Sequence, residues 1–179
     1  MKEKTAAGRA RERFQEKEEI VFDEVSHEAL PQAVLEKVGV SLPNIERTFR
    51  ARLGGIEYYV CEYKPFATSR KAFFIDCDVQ GKRIGFAILD YDTDNPTFGP
   101  TGLPYTNYTS TESGPGQGHG TARLYVMNAY AMKTFGLTMH SGSRLEPAAE
   151  AMWQGLIRDG IAEPVPSDIL KSKYRIKKP

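Results

Sequence analysis

The chain has 179 residues, enough for one domain with a real core and short for two. Lys and Arg number 24 against 23 Asp and Glu, which excludes an overall field drawing the chain to nucleic acid or to a membrane, so a partner must be recognised locally. Cys61 and Cys77 lie in apolar segments without CxxC spacing, which excludes a disulfide framework and a structural zinc site and leaves two core thiols. No apolar run approaches the ~18 residues of a membrane span, and the charged N-terminus is followed by no apolar core, so the expected location is the cytoplasm.

Residues 1–20 read as a charged arm or solvated helix, with Phe14 the one aromatic in its first part, and residues 21–179 as a single domain. The cluster Arg9, Arg11 and Arg13 offers a weak nucleic-acid contact, although a charge run of mixed sign is more often a solvated face. From Ser26 or His27, the segment SHEALPQAVLEKVGV places Leu30, Val34, Leu35 and Val38 at helical spacing. It predicts a short amphipathic helix, interrupted or started by Pro31 and ended at Gly39. Asn44–Leu53 shows no clear pattern, and Gly54 and Gly55 separate it from IEYYVCEY, a β-branched and aromatic strand over Ile56–Tyr63.

KAFFIDCDV and RIGFAILDY follow as two apolar strands joined by Gln80, Gly81 and Lys82, the signature of a hairpin, so three successive strands form an antiparallel meander. Asp90–Leu103, rich in Asp, Pro and Gly, reads as a loop; it lacks the fixed glycine and closing glutamate of an EF-hand, and no metal site is expected. YTNYTST, Tyr105–Thr111, alternates polar with aromatic residues and predicts a fourth strand.

Gly114, Gly116, Gly118 and Gly120 then alternate with Pro115, Gln117 and His119, immediately before an alanine-rich helix over Gly120–Thr134 that Gly136 stops. A glycine-rich loop opening a helix is a ready anion site, because the first helical N–H groups are unpaired and the helix dipole is positive there. The competing interpretation is a surface loop that happens to precede a helix. LTMHS, Leu137–Ser141, reads as a short fifth strand. PAAEAMWQGLIRDG places Ala149, Met152, Trp153, Leu156 and Ile157 on one helical face, with Ser143 and Glu146 offering a capping box and Pro147 favouring a later start. YRIK supplies a last strand with a basic tail, Lys171–Lys178.

This order resembles the GNAT superfamily of N-acetyltransferases. PGQGHGTARL is similar to the family's RGxGxGTALL through Gly116, Gly118 and Gly120, with Pro115 where Gln or Arg is usual. Shifted by two, QGHGTA satisfies [Q/R]xxGx[G/A] through Gln117, Gly120 and Ala122. EPAAEAMWQGL resembles the family's NxxAxxxYxxxG through Ala149, but puts Glu146 at the Asn position and Trp153 at the Tyr position, so the family's usual general acid is missing. Tyr174, Tyr108 or solvent would replace it.

The resemblance covers Ile56–Ile176 and implies an α+β or α/β fold, a mixed, mostly antiparallel central sheet flanked by helices. It implies acetyl-CoA (coenzyme A) as cofactor, held at Gly116, Gln117, Gly118, His119, Gly120 and Thr121, and an amine-bearing acceptor: a small molecule, a protein or a modified base. Attack on the thioester needs a base near the end of the fourth strand. Glu112 is the first candidate, followed by His119, His140 and Asp90, with Tyr108 and His140 completing the catalytic set. Two alternatives stand beside this: an inactive GNAT-like binding or inhibitory module, and a phage protein of the same fold that modifies nucleic acid. A P-loop is excluded because Thr121, not Lys, follows the last glycine, and the upstream meander argues against a dinucleotide-binding fold. No GxSxG elbow supports a serine hydrolase.

Overall fold

A computed structural model describes residues 12, 19–66, 69–92, 104–112, 117–142, 144–166 and 172–178. The basic cluster Arg9–Arg13, Gly114–Gly116, Ser143, Lys171 and most of the Asp90–Leu103 loop lie outside the described residues.

The chain forms an α+β fold around a six-stranded antiparallel sheet in simple sequential order. Its strands are β1 (Asp23–Glu24), β2 (Ile45–Leu53), β3 (Ile56–Phe66), β4 (Ser69–Cys77), β5 (Arg83–Asp92) and β6 (Tyr105–Thr111). Three α-helices accompany them among the described residues: α1 (Gln32–Val38), α2 (His119–Phe135) and α3 (Pro147–Arg158). A small antiparallel pair, β7 (Ala162–Pro164) and β8 (Tyr174–Ile176), completes the set.

The period of two along the central strands explains their nearly continuous apolar sequence, since both faces are covered. Tyr58, Val60 and Phe74 face a core shared with α2 and α3, while Tyr59, Cys61 and Ile75 face a second core closed by Leu30, Val34 and Val38. Helix α2 is buried from Thr121 through Met127, as a helix wedged into a core must be. The β4–β5 hairpin turns over Asp78–Lys82, where the Asp78 carboxylate accepts from the N–H groups of Gln80 and Lys82 at 2.9 Å and Gly81 takes a φ of 78°.

Strand β2 and the Leu137–Ser141 segment differ from the sequence reading, and two helix starts that it left open are decided. Asn44–Leu53 holds strand β2, so β6 is the fifth strand in succession after α1 and not the fourth; alternating Arg47, Arg50 and Arg52 hide the pattern that Phe49, Ala51 and Leu53 carry. The first helix begins at Gln32 with Pro31 as its N-cap, after a separate 3-10 turn at His27–Ala29. Helix α3 opens at Pro147, the later of the two expected starts, with Glu146 as N-cap and no side-chain bond at that cap.

Leu137–Ser141 is not a regular strand. His140 alone bridges to Arg175 of β8. Its backbone N–H donates to the Pro104 carbonyl at 2.9 Å, and its carbonyl accepts from the N–H of Thr106 at 3.1 Å. That alternation, with both bonds on one residue and reaching positions either side of Tyr105, is the pattern of a parallel pair. Ser141 then turns to β8: its N–H donates to Tyr174 and its hydroxyl accepts from the N–H groups of Lys173 and Tyr174. A Cβ on Gly142 would lie 3.2 Å from the Thr106 carbonyl oxygen, a tight contact that glycine avoids where the chain approaches β6. No helix among the described residues is long and apolar enough to cross a membrane.

Candidate functional site

The head of α2 stands just beyond the end of β6, reached through the glycine-rich loop. Gly118 is its N-cap, in the left-handed region at φ 78°, where only glycine is free of strain. Its carbonyl accepts the first helical bond, from Ala122 at 3.0 Å. The N–H groups of His119, Gly120 and Thr121 therefore have no intrahelical acceptor. The cap supplies no side-chain bond and the first turn holds no acidic residue, so nothing in this turn competes for those donors or cancels the positive end of the helix dipole. Thr121 is buried, and Gly120 runs under α3, where Met152 Sδ is 3.6 Å from where a Cβ would stand.

Gln117 and His119 flank the cap. The His119 Nε2–H donates to Gln117 Oε1 at 3.1 Å, and Nδ1 is buried with no hydrogen-bond partner among the described residues. Burial holds the ring's pKa below the ordinary histidine range, opposed by the Asp76 carboxylate and assisted by the Arg123 guanidinium. Those two charges form an ion pair inside the protein: Arg123 Nε and Nη2 reach the two oxygens of Asp76 at 2.5 and 2.8 Å, with side chains 1% and 0% exposed. Their sequence separation of 47 residues carries no spacing signature. The only hints are an acid inside the apolar run FFIDCDV and a base inside GTARLYVM.

Glu112 follows β6, at the same end of the sheet as the α2 head. Its N–H donates to the Ile84 carbonyl at 2.7 Å and its carboxylate accepts from Arg83 Nε at 2.7 Å, at the surface. Lys37 of α1 sits near this pair, 3.2 Å above the Phe86 ring, its pKa lowered by burial and by Arg83. Tyr108 is in β6 opposite Ile88.

His140 lies elsewhere. It is buried at the other end of β6, its Nδ1–H donating to the Thr138 carbonyl at 3.0 Å, and burial lowers its pKa. Asp90 is near that end too, buried and 3.3 Å from Lys71. The structure thus brings Glu112, Gln117, His119, Gly120 and Thr121 to one end of the sheet and leaves His140 and Asp90 at the other.

Trp153 is buried in α3 and stacks on Tyr174 of β8 with ring centroids 6.0 Å apart. The Tyr174 hydroxyl donates to Glu150, which raises the phenol's pKa, and accepts from Gln154 at 2.9 Å. No cluster of three or more His, Cys, Asp or Glu side chains fit to hold a metal occurs among the described residues. Comparison with family models, curated proteins and solved structures finds no match.

Proposed function

We propose that this chain is an acetyl-CoA-dependent N-acyltransferase of GNAT-like fold, in which an amine attacks the thioester directly. The observation that carries the reading is the placing of two backbone surfaces at one end of the sheet: the head of α2, whose first N–H groups have no intrahelical acceptor and no side-chain cap among the described residues, and the outer edge of β6. Beyond Thr106 that edge has no neighbouring strand among the described residues. A ligand with a phosphate head and an extended amide-bearing arm suits both, the phosphates on the helix N–H groups and the arm's amides along the strand edge. Coenzyme A has that chemistry, and when acylated it brings an activated thioester.

The parallel bonding of His140 to the start of β6, within a sheet otherwise antiparallel, supports the mixed sheet expected of a GNAT-like fold. Glu112 is the base of choice. It stands at the α2 end of β6, at the surface, within reach of an amine brought to the head of that helix. Tyr174, stacked on Trp153, keeps its proton through the neutral range and is the protein's own candidate to return one to the departing thiolate; water is the other source.

One observation favours a second reading, a binding module of the same fold without the reaction. Trp153 fills the place of the expected acid, and the Tyr174 hydroxyl is already given to Glu150. A nucleic-acid acceptor draws its support from the tail alone, where Lys177 and Lys178 are exposed.

The thermal unfolding midpoint with acetyl-CoA, free CoA and ATP tests the proposal. Ligand at a hundred times its dissociation constant adds about 2.7 kcal/mol, which moves the midpoint of a chain this size by several degrees. A rise with acetyl-CoA and CoA but not ATP is expected. Binding together with release of CoA in the presence of amines favours the enzyme, and binding without release favours the module.

A further inference from the structure

We infer that the Asp76–Arg123 pair is a positioning device, which sets the rotation and axial register of α2 and so aims the N–H groups of His119, Gly120 and Thr121. The inference rests on the proposal above only for what those N–H groups serve; the geometry stands without a ligand. A helix buried on all sides has no single apolar stripe to tell it which face to turn inward, and Thr121 through Met127 are all buried. Packing alone leaves such a helix poorly registered, because cores of the right volume lose uniqueness before they lose stability.

A forked pair removes that freedom. Guanidinium and carboxylate are both planar, so two parallel bonds at 2.5 and 2.8 Å fix angle as well as distance. Asp76 belongs to a central strand, and its partner across the β4–β5 ladder is Gly85, which brings no side chain to that point of the sheet. Arg123 lies one turn into α2, and His119, four residues earlier on the same helical face, feels both charges. The pair therefore acts on the turn whose N–H groups have no intrahelical acceptor. Stability does not explain it, since well-packed apolar residues in place of a buried ion pair are often as stable or more so.

The experiment is hydrogen exchange in the unliganded protein with both charges replaced, Asp76→Leu with Arg123→Met. The amides of Ala122, Arg123 and Leu124, the first bonded N–H groups of α2, report the position of the turn. We expect a thermal midpoint close to wild type, exchange of these three at least about tenfold faster, and unchanged exchange from Met127 to Ala131. Arg123→Lys, which keeps the charge but not the fork, should speed the same three amides and no others; it serves as the test should the double variant fail to fold. Wild-type protection at Ala122–Leu124 in a folded variant would overturn the inference, as would a loss spread evenly along α2. Whether the wild-type protein binds acetyl-CoA is read separately and decides only the proposed function.

Discussion

Glu112 and His140 lie at opposite ends of β6. The N–H of Glu112 donates to Ile84 beyond the strand's end, whereas His140 is bonded to Pro104 and Thr106 at its start. The extended chain between Thr106 and Glu112 is roughly 20 Å long, so the two side chains cannot serve one reacting atom. The carboxylate is at the surface beside the head of α2, and the imidazole is part of the scaffold that joins β6 to β8.

The two residues should therefore behave differently when changed. Glu112→Gln breaks a partly exposed ion pair and should alter stability by no more than about 1 kcal/mol. His140→Ala removes a buried, hydrogen-bonded ring and should cost about 2–3 kcal/mol. Urea denaturation of both variants checks this, and equal losses would contradict the placement.

The glycines at the head of α2 separate geometry from function. Gly118→Ala forces a side chain into the left-handed region and should cost about 1–2 kcal/mol. At Gly120 a Cβ meets only an ordinary contact with Met152, so Gly120→Ala should leave stability unchanged or raise it by up to about 1 kcal/mol. The same methyl would sit by the N–H groups of the first turn and should weaken acetyl-CoA binding about tenfold, the equivalent of about 1.4 kcal/mol. Thermal midpoints and a binding titration on the two variants read both effects.

Much of this arrangement is legible in the sequence, and the reasons are local. Gly81 and Gly136 occupy left-handed positions in the structure, which is why they mark the β4–β5 turn and the end of α2 in the sequence. Strand β2 escapes because arginines interrupt its alternation, and β1 is two residues long. His140 reads as a strand residue because LTMHS is a short segment set between Gly136 and Gly142, yet its pairing comes from segments far along the chain. The glycine-rich turn is visible because glycine is a local requirement of the backbone. Asp76 and Arg123 are not, because nothing local ties a buried acid in one strand to a base in a distant helix.

Acid should destabilise the fold through its two desolvated imidazoles. His119 and His140 both have folded pKa values held below 6.5 by burial. Between the unfolded value and the depressed folded ones the unfolded chain binds more protons, so stability is full above about pH 6.5 and falls as pH drops below it. Urea midpoints should decline between about pH 6.5 and 5, and His140→Gln should flatten that decline. A flat wild-type profile there would show that the rings are not desolvated.

Both thiols should be silent in the folded protein. Burial pushes Cys61 up to about 11 and Cys77, with the Asp76 carboxylate beside it, up to about 12. Each is 0% exposed, and the thiolate is the reactive form. A thiol reagent should label neither at neutral pH in buffer and both in denaturing urea. Rapid labelling of the native chain would contradict the two-sided core.

The central claim is that the N–H groups at the head of α2, which have no intrahelical acceptor, hold the phosphates of coenzyme A. The most direct measurement is an NMR titration of the 15N-labelled protein with acetyl-CoA, following the amides of Gly118, His119, Gly120 and Thr121. The account predicts that these shift first and furthest, with a second set along the β6 edge from Asn107 to Thr111. Saturable binding whose shifts fall elsewhere, or no shift at millimolar acetyl-CoA, would contradict it.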